Sequence, residues 1–170
     1  AGVSSGGLID SLARGSNGIL YASGIFTSVD GVTANNIAQW NGTSWAPVSG
    51  GLDGRGRGLA IAPNGTLYVG GDFGQAGATS ANYVAAWNGT SWSALGTGLG
   101  SSAYGFAFPA SGGVVAVGDF TTAGSATNVG GVARWSGSSW SGMPTNAGTF
   151  VAVNAVLVAQ DDSIFIAGTI

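Results

Sequence analysis

The sequence predicts an all-β fold made of about three and a half copies of one unit of about 47 residues. The unit is marked by the motif Trp-Asn-Gly-Thr-Ser-Trp, which begins at Trp40 and again, 47 residues later, at Trp87. A third copy begins after 48 residues at Trp135, with Ser136 in place of the asparagine. The second observation is that short runs of β-branched and aromatic residues accompany every motif at similar distances. No helical periodicity competes with these runs.

Each complete unit contains four predicted strands. The second strand is the strongest, as in Leu67-Tyr68-Val69-Gly70-Gly71-Asp72-Phe73. It is apolar on both alternating faces, which is typical of a strand buried on both sides. In chain order, the predicted first strands are 8–13, 58–61, 105–108 and 155–158; the second strands are 20–26, 67–73, 114–120 and 164–170; the third strands are 36–40, 83–87 and 131–135; and the fourth strands are 44–48, 91–95 and 139–143.

The connections between these strands carry turn-forming residues. Asn17-Gly18 and Asn64-Gly65 lie between first and second strands, where they predict tight turns. The segments between second and third strands consist mostly of Gly, Ser, Thr and Ala, and 74–80 is predicted to be a long irregular loop.

The tryptophan motif is predicted to be the turn of a β-hairpin, because Asn-Gly between apolar residues is a strong hairpin signal. A loop of two or of four residues places both tryptophans of a motif on one face of the sheet, whereas a loop of three residues separates them. We expect each pair to act as a structural clasp, and a platform that stacks against sugars is the functional alternative. The clasp residues are Trp40, Trp45, Trp87, Trp92, Trp135 and Trp140.

Four antiparallel strands repeating every 40 to 50 residues or so are typical of a β-propeller blade. Stacked blades also explain strands that are buried on both faces. A β-solenoid is the alternative, although its rungs usually repeat at shorter spacing. The predicted division is the end of a preceding outer strand at 1–7, blade 1 at 8–52, blade 2 at 53–100, blade 3 at 101–149 and half of blade 4 at 150–170.

Three and a half blades do not make a ring, because propellers close with about four to eight blades. The predicted strand at 164–170 is expected to present an open apolar edge, which favours pairing with another strand. The chain is therefore expected to be part of a longer polypeptide, to be completed by other copies of itself, or to join copies head to tail in a filament.

The composition excludes several classes of function. The sequence contains no cysteine and no histidine, which removes thiol nucleophiles, the usual catalytic triads and the usual zinc sites. Only 6% of the residues are charged and the net charge is −3, which argues against a nucleic-acid partner. No apolar run approaches the ~18 residues of a membrane span. Abundant Ser, Thr, Asn and Gly favour an extracellular or cell-surface location.

A few carboxylates are candidates for chemistry. Asp72 and Asp119 occupy the same position in neighbouring units, so they could form the carboxylate pair of a glycoside hydrolase. The structural interpretation, which we favour, is that each bonds the backbone of a loop. Asp161 and Asp162 could contribute oxygen ligands to calcium, but a plain turn is favoured because no EF-hand spacing is present.

Two arginines and three asparagines complete the set of candidate residues. Arg55 and Arg57 could bind an anion, but we expect them to be solvated or to pair with Asp53. The asparagines of three Asn-X-Ser/Thr sequons fall on predicted exposed turns and are possible glycosylation sites. They are Asn41, Asn64 and Asn88.

The strand Leu-Tyr-Val-Gly-Gly-Asp-Phe, the Gly/Ala/Ser loop and the run Ile-Ala-x-Trp-Asn-Gly-Thr-Ser-Trp resemble kelch-like β-propeller repeats. Such repeats occur in large secreted or surface proteins of bacteria and in the extracellular part of the fungal cortical cell-polarity marker family. The resemblance covers the chain from about Leu8 onward. It implies a non-catalytic surface role without a cofactor. The third motif, with Ser136, and the incomplete fourth unit depart from the pattern.

The sequence thus predicts a non-catalytic extracellular structural or assembly module that associates through open blade edges. Its expected partners are other copies of itself or the rest of a longer chain. The alternative is a lectin-like propeller that binds glycans or a protein, for which Tyr104 and the tryptophans are candidate contacts. A hydrolase is the third hypothesis.

Overall fold

The computed structural model describes residues 2–144 and 151–169, and it is all-β, with no helix among these residues. The strands are numbered in chain order. They are β1 (Leu8–Arg14), β2 (Leu20–Ile25), β3 (Ser28–Val29), β4 (Val32–Thr33), β5 (Ile37–Trp40), β6 (Trp45–Pro47), β7 (Arg55–Ile61), β8 (Leu67–Asp72), β9 (Gln75–Ala76), β10 (Thr79–Ser80), β11 (Val84–Trp87), β12 (Trp92–Ala94), β13 (Ala103–Ala107), β14 (Val114–Gly118), β15 (Thr122–Ala123), β16 (Ala126–Thr127), β17 (Val132–Trp135), β18 (Trp140–Gly142), β19 (Ala152–Val158) and β20 (Ile164–Thr169).

These strands form three four-stranded antiparallel sheets and one hairpin. Sheet 1 has the order β1-β2-β5-β6, sheet 2 the order β7-β8-β11-β12, and sheet 3 the order β13-β14-β17-β18. Hairpin 4 consists of β19 and β20. The predicted boundary at 149/150 and the last residue of the predicted strand 164–170 lie outside the described residues.

The prediction of an irregular loop between second and third strands is wrong in detail. The segment 74–80 contains β9 and β10, which pair as a small hairpin with two residues in each strand. The pairs β3–β4 and β15–β16 form the same hairpin in the units of sheets 1 and 3, and each hairpin is a separate two-stranded sheet. Isolated bridges tie each small hairpin to the segment that precedes its sheet, through the pairs Val3–Val29, Leu52–Ala76 and Leu99–Ala123. Val3 therefore occupies the position that Leu52 and Leu99 occupy in later units.

The first strand begins at Leu8 as predicted in the first unit and earlier than predicted in the three later units. In sheet 2 it begins at Arg55, although the apolar pattern begins only at Gly58. The cause is a β-bulge, an extra residue that interrupts the alternation of side chains between the two faces. The same irregularity occurs in the first strand of every unit (β1, β7, β13 and β19), which we call the innermost strands. The extra residues are Asp10, Arg57, Tyr104 and Asn154.

The sheets pack face to face in chain order, and each covers one face of the next. β7 contacts β1 and β2 on one side and β13 on the other, and β13 also contacts β19. Every residue of β14 is buried, which confirms the expectation of a second strand covered on both faces for sheet 3. The expectation is wrong for β20, which has exposed residues alternating with half-buried ones because no described sheet covers its second face. Glycine allows this close stacking, because a Cβ on Gly70 would overlap Ala103 of the next sheet.

Among the described residues, three of the four clusters of the core lie between consecutive units, and the fourth packs Phe26 and Val29 against Trp45 within the first unit. One cluster, which includes Tyr21 and Trp87, lies between sheets 1 and 2. A second, which includes Phe106 and Phe120, lies between sheets 2 and 3. A smaller cluster around Val115 joins sheet 3 to hairpin 4. Most of the apolar area is thus buried between neighbours, so no single sheet provides a complete core.

Candidate functional site

Each tryptophan motif closes the hairpin between the third and fourth strands of its sheet. The register pairs Trp40 directly with Trp45, and the two other motifs pair their tryptophans in the same way. The predicted shared face is therefore confirmed, and the loop is the four-residue alternative. The ring centroids of the three pairs are 5.6, 5.2 and 5.4 Å apart, with the rings tilted by about 50°. Tilted contacts at this separation are favourable for aromatic pairs.

The side chain of the asparagine explains the loop length. The Asn41 side-chain oxygen accepts hydrogen bonds from the backbone N–H groups of Thr43 and Ser44, both at 2.9 Å. This Asx turn needs a positive φ only at Gly42 (102°), so it is not a two-residue type I′ turn. In the third motif the Ser136 hydroxyl accepts the equivalent bond from the Ser139 N–H at 3.1 Å. The altered motif thus keeps the same turn.

Two of the three clasps join their sheet to the preceding one. The indole Nε1–H of Trp92 donates to the Ser49 carbonyl at 3.2 Å, and that of Trp140 donates to the Leu95 carbonyl at 2.7 Å. Both acceptors lie just after the outer strand of the preceding sheet. Trp92 and Trp140 are buried by this contact, so their rings offer little surface to a sugar.

The clasp of sheet 1 faces away from sheet 2. Tyr21 packs into the cluster shared with sheet 2, and side chains alternate along a strand, so Leu20 points to the other side. Leu20 pairs with Trp40 in the register, and Trp40 with Trp45, which places all three on this outer face. We call it the leading face, and it consists of Ile9, Leu12, Leu20, Trp40 and Trp45. Leu12 on this face is 58% exposed.

Hairpin 4 presents an apolar face at the other end of the stack. Ile164 and Ile166 pack against sheet 3, so the alternating residue Phe165 points away from it. Phe165 pairs with Leu157, and the two side chains are 60% and 66% exposed. We call this surface the trailing face, and it consists of Ala155, Leu157, Phe165 and Ala167.

The four bulged residues meet at a single cavity of about 450 Å³. Asp10, Arg57, Tyr104 and Asn154 each come from a different innermost strand, and all four line it. We call it the inner-rim cavity. A bulge redirects a side chain out of the normal alternation of the strand, which explains why the four share one space while their neighbours pack between sheets.

Side chains from adjacent strands hold three of these residues in place. The Arg55 guanidinium donates to Asp10, with Nε 2.8 Å from Oδ2, and Arg57 donates to Asp72 at 2.7 Å. The expected pairing of these arginines with Asp53 is therefore wrong. The Asp53 carboxylate instead accepts hydrogen bonds from the backbone N–H groups of Gly74 and Gln75, both at 2.9 Å.

Tyr104 is fixed from two sides. Its hydroxyl donates to Asp119 Oδ2 at 2.7 Å, and the Arg57 guanidinium lies 5.7 Å from its ring centroid. Burial, and then the adjacent Asp119 carboxylate, raise the pKa of Tyr104 to about 12. The phenol therefore remains a neutral hydrogen-bond donor at neutral pH.

The paired carboxylates do not bond loop backbone as expected. Asp72 accepts hydrogen bonds from Arg57 and from the hydroxyl of Ser102, and Asp119 accepts one from Tyr104. The donors Ser102 and Tyr104 belong to the chain that enters and forms β13, so Asp72 links sheet 2 to sheet 3. These contacts give both carboxylates a structural task at the inner ends of the sheets.

The second acidic pair forms a turn, in agreement with the favoured interpretation. Asp161 accepts a hydrogen bond from the Ser163 N–H at 3.0 Å. Asp162 accepts from the N–H groups of Ala110 and Ser111, both at 2.7 Å, and these bonds lower its pKa. Asp162 thereby ties hairpin 4 to sheet 3. Residues 2–144 and 151–169 contain no group of three or more acidic, Cys or His side chains placed to hold a metal ion.

The three sequon asparagines are exposed on turns. Asn41 and Asn88 lie in the clasp loops of sheets 1 and 2, and Asn64 lies in the turn between β7 and β8. Each side-chain oxygen already accepts a hydrogen bond from the backbone two residues later. Their glycosylation stays a prediction.

Beside the Asn64 turn, an open cleft of about 360 Å³ lies between sheets 2 and 3. It is lined by three half-buried aromatic residues, Tyr68, Phe108 and Trp135. The rings of Tyr68 and Phe108 are 5.6 Å apart. We call this surface the aromatic cleft.

Comparison of the sequence with protein-family models and with curated proteins found no match. Within the described parts of the chain, there is no helix with the length and hydrophobicity needed to span a membrane.

Proposed function

We propose that this chain is a non-catalytic structural module of the β-propeller type that acts outside the cell or at its surface and assembles through its end faces. The observation that carries the proposal is the repeated junction between sheets. Each junction buries apolar side chains and, in two cases, an indole hydrogen bond, while the leading and trailing faces expose apolar side chains of the same kind. Exposed apolar patches of this sort are typical of interaction sites.

The propeller arrangement is part of the proposal. Three sheets of identical strand order pack face to face, and their innermost strands contact one another in sequence. The bulged residues of all four units border one cavity, as expected when innermost strands surround a common axis. The resemblance to kelch-like repeats supports the same architecture and a surface location.

A structural role without catalysis fits the state of the ionisable groups. Asp10 and Asp72 are paired with arginines, and Asp119 and Asp162 accept hydrogen bonds from neighbouring groups. In a chain without His or Cys, a carboxylate that acts as a general acid or base must be able to exchange a proton with substrate. These side chains instead fasten one strand or sheet to the next.

Sedimentation velocity over a range of protein concentrations tests the assembly. We expect the mean mass to rise above that of the monomer as concentration increases. A double variant, Leu12→Asp with Phe165→Asp, is expected to remain monomeric because it places a charge on each end face. Thr90→Asp, on an exposed clasp loop, is the control and should behave like the unaltered protein. A single monomeric species for the unaltered protein at every concentration would refute assembly.

Glycan binding at the aromatic cleft is a second candidate function, favoured by the half-exposed rings of Tyr68, Phe108 and Trp135 around an open space. Such rings could stack against the apolar face of a sugar. A glycan array should give hits that Tyr68→Ala removes. An array without hits, together with tryptophan fluorescence that sugars do not alter, would eliminate this candidate.

A further inference from the structure

We propose that the trailing face of one copy binds the leading face of a second copy and so reproduces the junction between consecutive sheets. This inference rests on the proposed function, since it names the partner and the two surfaces through which the module assembles. The internal junctions supply the template, because the register assigns each end-face residue to a position that is buried inside the stack.

The junction between sheets 1 and 2 shows what each side contributes. Sheet 1 provides Ala13 and Tyr21, which are paired across β1 and β2. Sheet 2 provides Leu59, Leu67 and Trp87, and all five side chains belong to one apolar cluster. An aromatic residue on the second strand of the earlier sheet thus packs against two leucines and the clasp of the later sheet.

The junction between sheets 2 and 3 repeats this arrangement. Ala60 and Tyr68 come from the same positions of sheet 2, and they join the cluster that contains Phe106, Val114 and Trp135 of sheet 3. The Tyr68 ring lies 6.1 Å from that of Phe106. The same arrangement thus occurs at two junctions, and at the third, between sheet 3 and hairpin 4, Val115 takes the place of the aromatic residue.

The trailing face carries the earlier half of this junction without its partner. Leu157 and Phe165 are paired across β19 and β20 just as Ala13 and Tyr21 are paired across β1 and β2. Phe165 therefore stands at the position of Tyr21, with an aromatic ring directed away from sheet 3. No described residue of this chain covers it, as its 60% exposure shows.

The leading face carries the residues that the later sheet contributes to this junction. Leu12, Leu20 and Trp40 stand at the positions that Leu59, Leu67 and Trp87 hold in sheet 2, according to the matching registers of the two sheets. The indole of Trp45 has no carbonyl acceptor among the described residues, unlike Trp92 and Trp140 at the same position. Leading and trailing faces are thus the two complementary sides of one junction.

Charge at the turn end of the hairpins favours the same pairing. Arg14 is exposed at the end of β1, and Asp161 is exposed in the turn between β19 and β20. Within the chain, the turn of hairpin 4 already contacts the turn of sheet 3, through Asp162 and Ser111. When a second copy follows hairpin 4 in the way that hairpin 4 follows sheet 3, the first turn of the second copy lies beside the turn of hairpin 4. This brings Arg14 of the second copy towards Asp161 of the first copy, so the opposite charges attract.

The two faces differ from each other, so the interface is heterologous and each copy offers one of each. Such interfaces close into a ring or continue as a filament.

Single-cysteine variants test the pairing, because the chain has no cysteine of its own. Arg14→Cys changes the exposed last residue of β1 and Asp161→Cys an exposed turn residue, and both leave the apolar contacts intact. After mixing and mild oxidation of two variants tagged with different masses, we expect a disulfide-linked heterodimer at several times the yield obtained from Arg14→Cys with Thr90→Cys. Adding Phe165→Asp to the Asp161→Cys variant should reduce the yield to that of the control.

Two results would overturn the inference. One is an equal yield of heterodimer from Arg14→Cys with either Thr90→Cys or Asp161→Cys, and the other is a product that consists mainly of Arg14→Cys chains linked to each other. The concentration series in the analytical ultracentrifuge separates this failure from that of the proposed function. Self-association without a disulfide between the Arg14→Cys and Asp161→Cys variants would support assembly but reject these two faces as its interface. A protein that stays monomeric would reject both the assembly and the interface.

Discussion

Replacing Trp140 with alanine is expected to lower the free energy of unfolding by about 3 to 5 kcal/mol. The side chain is only 6% exposed, its ring packs 5.4 Å from that of Trp135, and its Nε1–H donates to the Leu95 carbonyl at 2.7 Å. The change leaves a cavity between sheets 2 and 3 and removes the partner of that carbonyl. Chemical denaturation followed by far-ultraviolet circular dichroism measures the loss.

Trp45→Ala is the matched control, because Trp45 holds the same position in sheet 1 without a preceding sheet against it. At a concentration low enough to keep the protein monomeric, we expect a loss of about 2 kcal/mol or less, since the half-buried ring makes fewer contacts. Equal losses for the two substitutions would contradict the assignment of the clasp to the junction between sheets.

Replacing Gly118 with alanine is expected to cost about 3 kcal/mol, which is at the upper end for overpacking a core. The added Cβ would overlap the backbone carbonyl of Ser102 and lie 3.0 Å from the Cα of Ala103. Both atoms belong to the chain entering β13, which is paired with β14, so neither can move without disrupting the pairing. Denaturant unfolding of the variant gives the cost directly.

Gly105→Ala provides the comparison within the same pair of strands. A Cβ there would meet the Val117 Cγ2 at 3.4 Å and the Val156 Cγ1 at 3.8 Å, which are ordinary contacts. We expect a change within about 1 kcal/mol of zero, because alanine also reduces the entropy of the unfolded chain. A similar cost for Gly105→Ala and Gly118→Ala would mean that close backbone approach is not the reason for glycine at 118.

The period and the apolar runs were enough to predict the three sheets, because second strands buried on both faces leave a strong signal. In sheet 3, the predicted strand 114–120 contains all of β14. First strands were harder to delimit. In sheet 2 the bulge at Arg57, with glycine on both sides, breaks the alternation from which a strand is recognised. Two-residue strands such as β9 are too short to produce any pattern.

The tryptophan clasp could be predicted in part. Loops of two and four residues give the same parity, so the shared face of Trp40 and Trp45 followed from the sequence alone. The choice between these loops depends on hydrogen bonds to the Asn41 side chain, which composition does not reveal. That the clasp faces the preceding sheet depends on packing between units, and spacing within one unit does not determine it.

The inner-rim contacts could not be predicted from single residues, because each partner lies on another strand or in another unit. Arg55 lies 45 residues from Asp10 in the preceding unit, and Arg57 lies 15 residues from Asp72 on the next strand of its own unit. A comparison of the units with one another could still have found the cavity. Asp10, Arg57, Tyr104 and Asn154 are the strongly polar or aromatic residues at equivalent places in the innermost strands, whose neighbours are mainly small or aliphatic.

The bulge in every innermost strand separates the residues that packing between sheets constrains from the one bulged residue that this packing does not constrain. In sheets 2 and 3 the residues before and after the bulge pack between sheets, so any copy inside the stack meets the same restrictions there. The bulged residue faces the inner-rim cavity, and the four copies hold a carboxylate, a guanidinium, a phenol and an amide at this place. A gene built by duplication could therefore change the chemistry of the central space one codon at a time, with the fold left as it was.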